Sequence, residues 1–160
     1  VELPFLDDRL RLSLGAGHRW HVRRHAQQLH VRGPAIAGPR LDDEALRVAL
    51  ERWYRVQAAD IFWPRLLQLG AAEGLQPEGI TIRAQRSRWG SCSSRGHINL
   101  NWRLMLLPSA LADYVLVHEL CHLRHMDHSR AFRTLLAKLL PDYRVREQRL
   151  NAVRGSGLAI

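Results

Sequence analysis

Near the start of the chain apolar residues recur at every second position: Leu10, Leu12 and Leu14, then Trp20 and Val22, then Leu29 and Val31. A period of two sends successive side chains to opposite faces of a strand. With Gly15-Ala16-Gly17 and Gly33-Pro34 breaking the runs, residues 9–32 are predicted to form short antiparallel strands. From Asp42 the period changes: Ala45, Leu46, Ala49, Leu50, Trp53 and Val56 follow helical spacing behind the acidic start Asp42-Asp43-Glu44, which predicts a core-facing helix. Pro64 lacks an N–H and its ring crowds the preceding turn. The helix is therefore expected to kink or restart there and to end near Leu69, before Gly70 and Gly74. Trp53 and Tyr54 read as core aromatics rather than as a platform for stacked bases.

Alternation returns in Ile80, Ile82 and Ala84 and again in Ile98, Leu100 and Trp102, with the turn cluster Ser93-Ser94-Arg95-Gly96 between the runs, so residues 80–102 are predicted to form a β-hairpin. Its polar face offers Arg86, Arg88, Asn99 and Asn101 as hydrogen-bond donors to a substrate oxyanion or phosphate. Pro108 and Ser109 then start a helix whose apolar residues through Val117 are too dense for a surface position, with Asp113 placed to complement the dipole. A last stripe, Phe132, Leu135, Leu136, Leu139 and Leu140, predicts a helix over residues 130–140 that covers the back of its predecessor and is stopped by Pro141. Strands followed by helices make an α+β fold. Residues 1–160 are expected to form one domain, with N-terminal strands over about 1–40, scaffold helices over 41–75, and the hairpin with its following helices over 80–150.

The buried helix carries the chemistry. It runs into His118-Glu119-Leu120-Cys121-His122, and on a helix the two imidazoles stand one turn apart on one face with Glu119 beside them. That pattern fits a Zn²⁺ site: two neutral imidazoles hold the ion, a third protein ligand completes the set, and a carboxylate stands ready to take a proton from an attacking water. The third ligand is constrained by reach. On an unbroken helix His125 would lie about 10 Å along the axis from His118, whereas two ligands of one ion lie within about 4 Å of each other. The chain must therefore turn back after Leu123 or Arg124. His128, just before the helix cap Ser129, becomes the leading candidate, with Glu147 and Asp127 as alternatives. The spacing of the three histidines matches the metzincin pattern, except that His125 stands at the turn-glycine position.

Taken together, Ser87-Arg88-Trp89-Gly90-Ser91-Cys92, the run from Ile98 through Leu104, Asp113-Tyr114-Val115, His118 to Leu123, His128-Ser129 with Phe132, and Pro141-Asp142-Tyr143 resemble the YgjP-like family of metal-dependent hydrolases. The likeness is close over about residues 80–150 and looser before them. It implies a zincin-like α+β domain related in shape to SprT-like and minigluzincin peptidases, with His118, His122 and His128 as metal ligands and Glu119 as catalytic acid and base. It also leaves the substrate open, because members are labelled metallopeptidases by analogy while a relative is described as a nucleotide hydrolase acting on UTP.

Composition narrows the picture only slightly. No run is long enough to span a membrane and none reads as a signal peptide, which makes the cytoplasm the expected location. Cys92 and Cys121 are too few for a disulfide framework and are read as packing residues. His18, His21, His25 and His30 lack metal spacing and are read as surface or strand residues. A net charge of +9, with Lys138 the only lysine among 24 basic residues, attracts polyanions, and modestly favours a phosphate-bearing substrate. Three functions follow. A zinc metallopeptidase would take an extended peptide along the hairpin edge. A nucleotide pyrophosphatase would clamp phosphate with Arg86 and Arg88. A nucleic-acid-binding protein with structural zinc would need four protein ligands.

Overall fold

The protein is described by a computed structural model over residues 1–34 and 43–156, with side chains as far as Val153. The first four strands are β1 (Glu2–Phe5), β2 (Asp8–Ala16), β3 (His21–His25) and β4 (Gln28–Gly33), ordered β1-β2-β4-β3. Alternation places Leu10, Leu29 and Val31 on the inner face with no exposure, while His18, His21, His25 and His30 are exposed. The expectation of antiparallel strands holds for β1 with β2 and for β3 with β4, but β2 and β4 run parallel, pairing Leu12 with Leu29 and Leu14 with Val31. Local alternation specifies the buried face and is silent on strand direction, so the parallel pair was not readable from it.

Helix α1 (Glu44–Gly70) follows, and Asp43 caps it by accepting a hydrogen bond from the Ala45 N–H at 3.0 Å; Asp42 lies outside the described residues. The helix does not restart at Pro64 but continues through it, and ends at Gly70, beside the expected Leu69. The ring is exposed, and Phe62 and Leu66 on either side are buried, so packing on both flanks holds the turn that proline weakens. The buried stripe is Leu46, Leu50, Tyr54, Ala58, Phe62 and Leu66; the predicted stripe members Ala45 and Val56 face outward. Tyr54 is a core residue, as read. Its hydroxyl donates to the Pro4 carbonyl at 2.6 Å, and its ring lies against Trp53 and Trp102, with centroids 5.2 and 5.5 Å away.

After a 3-10 turn at Ala71–Glu73 come β5 (Gly79–Arg83), β6 (Gly90–Cys92) and β7 (His97–Asn101) in the order β5-β7-β6. Here the predicted hairpin needs correction. β5 pairs with β7 in parallel, Ile80 beside Ile98 and Ile82 beside Leu100, and the turn at Ser93-Ser94-Arg95-Gly96 joins β7 instead to the short β6. Gly90, Ser91 and Cys92 have no apolar alternation to announce a strand. Gly96 takes φ +85° in the turn, which suits a residue without a Cβ. Among the described residues a 3-10 turn at Trp102–Leu106 and the α-helices α2 (Ser109–His122), α3 (Arg130–Leu139) and α4 (Tyr143–Ser156) follow. The apolar residues of both sheets and of all four helices join one buried cluster, in which α2 contributes Leu111, Val115, Leu116, Val117 and Leu120.

Candidate metal centre

The start of α2 is fixed from a distance. Pro108 offers no side-chain cap, and the Asp7 carboxylate in the β1–β2 turn accepts hydrogen bonds from the Ser109 N–H at 2.8 Å and from its hydroxyl. These bonds hold the Asp7 carboxyl below its ordinary pKa. Asp113, expected to complement the dipole, is instead engaged by Arg65 of α1 through two bonds of 3.0 and 2.6 Å. α2 is thus tied to the N-terminal sheet and to α1 before it reaches His118.

Its C-terminal end turns back where ligand reach required. The N–H groups of Arg124 and His125 both bond the Cys121 carbonyl, at 3.1 and 3.0 Å, and the Ser129 hydroxyl caps α3 by accepting from the Phe132 N–H at 3.3 Å. Glu73 braces this turn. Arg124 donates to its backbone carbonyl at 2.6 Å and to its carboxylate at 3.3 Å, and Lys138 of α3 pairs with the same carboxylate at 2.5 Å. Lys138 first, and Arg124 after it, hold that carboxyl below its usual range. Nothing in the sequence around Glu73 marks this role, because both partners are more than 50 residues away.

The turn brings His128 onto His118 and His122. His128 Nε2 lies 3.1 Å from His122 Nε2 and 3.2 Å from His118 Nε2, and the ligand atoms of the three all lie within 4.8 Å of one another. A tetrahedral ion with bonds of about 2.0–2.1 Å spaces its ligand atoms about 3.3 Å apart, so the cluster has the size of one metal ion. Its electronic state agrees. His122 Nδ1 lies 2.9 Å from the His125 carbonyl, which places the proton on Nδ1 and leaves Nε2 as a bare lone pair directed at its neighbours. Burial first, then His122 and His128, push His118 down to about 4; burial also lowers His122, so both imidazoles are neutral at pH 7. His125 therefore contributes a carbonyl rather than a ring. Glu147 and Asp127 are not in the cluster, and among the described residues these three histidines are the only such group.

Phe132 was expected on the back of the metal helix. Its ring lies instead against the three imidazoles, with centroids 5.1, 4.6 and 5.0 Å from His118, His122 and His128, while Leu135 and Leu136 of the same stripe are buried in the core. An apolar wall there limits ring rotation and keeps water from one side of the lone pairs.

Glu119 lies against Gly90 of β6 and is 6 % exposed. A Cβ on Gly90 would stand 3.2 Å from its Oε2, so the absence of a side chain at Gly90 is what lets the carboxylate lie against the strand. Burial raises the carboxyl from 4.5 to about 7, and Arg88 pulls in the opposite direction. The other polar residues expected at a substrate divide. Arg88 acts on Glu119, whereas Arg86 acts on Arg103 beside Arg47 and Arg55. Asn99 accepts from Arg83 at 3.2 Å and donates to Ser91 at 3.3 Å. Asn101 is a correction: it is 4 % exposed and its amide donates to the Gln85 and Arg88 carbonyls, which shapes the loop and leaves no donor for substrate. Burial raises Cys92 to about 11 and Cys121 to about 12, so both remain thiols.

No curated protein matches the chain. Among solved structures it is similar to the metallopeptidase zymogen abylysin of Pyrococcus abyssi, at 25 % identity and a TM-score of 0.52, over 56 % of this chain and 91 % of that one. The α+β fold is thus zincin-like. A model of the YgjP-like metallopeptidase domain matches residues 1–153, well beyond the 80–150 segment in which the sequence likeness is close. The chain belongs to the YgjP-like family of metallopeptidase domains, and so to the metal-dependent hydrolases.

Proposed function

We propose that this protein is a zinc-dependent metallopeptidase in which His118, His122 and His128 hold the ion and Glu119 is the general base. The observation that carries the reading is the convergence of the three imidazoles of His118, His122 and His128 beside a buried carboxyl, Glu119, raised to about 7. Three imidazoles suit zinc, and three protein ligands rather than four is the donor count of catalytic sites, which speaks against a purely structural role. Bound there, the ion supplies Lewis-acid polarisation and acidifies water. Glu119, with a pKa close to neutral, takes a proton from the attacking water and delivers it to the leaving group. The Arg88 guanidinium, whose charge reaches Glu119, would steady negative charge developing there. β6 lies at the edge of its sheet and against α2, so its outer side offers backbone donors and acceptors to an extended peptide.

The presence of Arg88 beside Glu119 supports a second reading, hydrolysis of a nucleotide such as UTP with the arginines on phosphate. Both readings are tested together. Zinc-loaded wild type, Glu119→Gln and His128→Ala are each incubated with a peptide library and with UTP, and bound metal is measured by elemental analysis. The expected result is peptide cleavage by wild type alone, full metal in Glu119→Gln and reduced metal in His128→Ala. Consumption of UTP with peptides untouched replaces the peptidase reading by the phosphohydrolase one. Unchanged metal in His128→Ala sinks the ligand assignment.

A further inference from the structure

The outer face of the N-terminal sheet carries a charge pattern that the metal centre does not use. β1–β4 send their leucines, valines and Phe5 inward, and the register fixes what stands opposite. Arg9 and Arg11 come from β2, Arg32 from β4 and Arg23 from β3, and all four are exposed. His30 lies between Ser13 and Arg23, and Arg32 lies between Gly15 and His21. Glu2, paired with Arg11, is the one acidic residue on this face, because Asp8 sits in the row of Phe5 and pairs with Arg24 at 3.1 Å. Among the described residues no ion pair engages Arg9, Arg11, Arg23 or Arg32.

Exposed sheet faces ordinarily set opposite charges across from each other, since like neighbours are destabilising. On this face only Arg11 stands opposite an acidic residue, Glu2, whereas Arg9, Arg23 and Arg32 stand opposite Pro4, His30 and His21. Strand spacing of about 4.8 Å across β2, β4 and β3 and a two-residue repeat of about 6.8 Å along them spread the arginines over roughly 10 by 20 Å. Cations arranged so widely match a repeating anion better than a single small one. The guanidinium fork favours phosphate, and none of the exposed large apolar residues lies on the face to anchor it in a bilayer. No Phe, Tyr or Trp side chain lies there as a platform for bases, so contact with the phosphate backbone dominates.

We propose that the outer face of β1–β4 docks the phosphate backbone of a nucleic acid without regard to base sequence. The face is on the side of the sheet away from the core, whereas the metal centre lies between α2 and α3, so the two can be occupied together. The test uses full-length, metal-loaded protein and fluorescence anisotropy with a single-stranded oligonucleotide and its duplex across a salt series. The variant Arg11→Ala/Arg23→Ala/Arg32→Ala is compared with Arg52→Ala/Arg144→Ala/Arg149→Ala, which removes the same charge from exposed positions on α1 and α4. The face variant is expected to raise Kd by about tenfold or more and to reduce the log–log salt slope by roughly 2–3, with the control near wild type. Equal weakening in both variants reduces the effect to net charge and overturns the proposal. So does absence of oligonucleotide binding at about 50 mM salt, or binding through these arginines to phosphatidylserine vesicles but not to oligonucleotides.

Discussion

At the scale of single residues, Glu119 makes the sharpest prediction. Its carboxyl titrates near 4.5 in the unfolded chain and near 7 in the folded one. Between these values the folded protein holds a proton that the unfolded chain has released, so the group costs stability as pH rises through that window. Gln has no proton to lose. In metal-free protein Glu119→Gln should therefore match wild type near pH 4.5 and gain on it up to pH 7, by about 3 kcal/mol at most, as read by urea unfolding at each pH. His118, held near 4 by burial, titrates in both proteins and cancels from the comparison. A difference that does not change with pH would show that the carboxyl is not buried as described. Gly90→Ala tests the same carboxylate from the strand side. The new Cβ would meet the Asn99 carbonyl at 3.1 Å and Glu119 at 3.2 Å, so kcat should fall at least about tenfold while bound metal is unchanged, since about 1.4 kcal/mol of misplacement suffices. Activity equal to wild type would remove Gly90 from the site. The cluster of histidines and Glu119 was legible because His118, Glu119 and His122 lie about one helical turn apart, where geometry is local. Gly90, Phe132 and Asn101 were not, because what each touches is set by packing between distant segments.

At the scale of elements, the metal helix is held by groups that belong to other elements. Asp7 caps α2 across 102 residues of sequence, in place of a local cap. Asp7→Ala should cost about 1 kcal/mol in chemical unfolding. Its depressed carboxyl implies that the contribution is lost as pH falls toward and below the usual carboxylate range. Equal stability of variant and wild type at pH 7 would contradict it. The same non-locality explains which elements the sequence revealed. Helices α1 and α3 were visible because their period and their capping residues lie close together in the chain, and α2 because a dense apolar run follows Pro108-Ser109. Strands β2, β4, β5 and β7 were visible as strands, yet which of them run parallel depends on pairing between segments that no local pattern encodes. β6 escaped altogether, since Gly90, Ser91 and Cys92 carry neither alternation nor branched side chains. This three-residue strand borders Glu119, so the least legible element is the one nearest the proposed chemistry.

For the whole molecule, total charge was plain from composition, whereas its collection on one sheet face required the register of β1–β4. The metal centre couples local structure to global stability in the same non-local way. His118 and His122 belong to α2, His128 precedes α3, and the turn between them is braced by Glu73 from beyond α1. An ion bound by all three therefore joins α2 to α3, and unfolding must release it. Zinc at roughly a thousand times its Kd adds about 4 kcal/mol to the folded state, less whatever the unfolded histidines retain. For a chain of 160 residues, at about 2–4 °C per kcal/mol, the thermal midpoint should rise by about 8–16 °C and fall back when a chelator is added. Glu119→Gln keeps the three imidazoles and should show the full rise. His128→Ala leaves two ligands on one helix, with nothing from the α3 side, and should lose most of it. Calorimetry of the three proteins with and without zinc separates these cases: a full rise in His128→Ala would mean that the ion is held within α2 alone and that the junction with α3 plays no part in binding it.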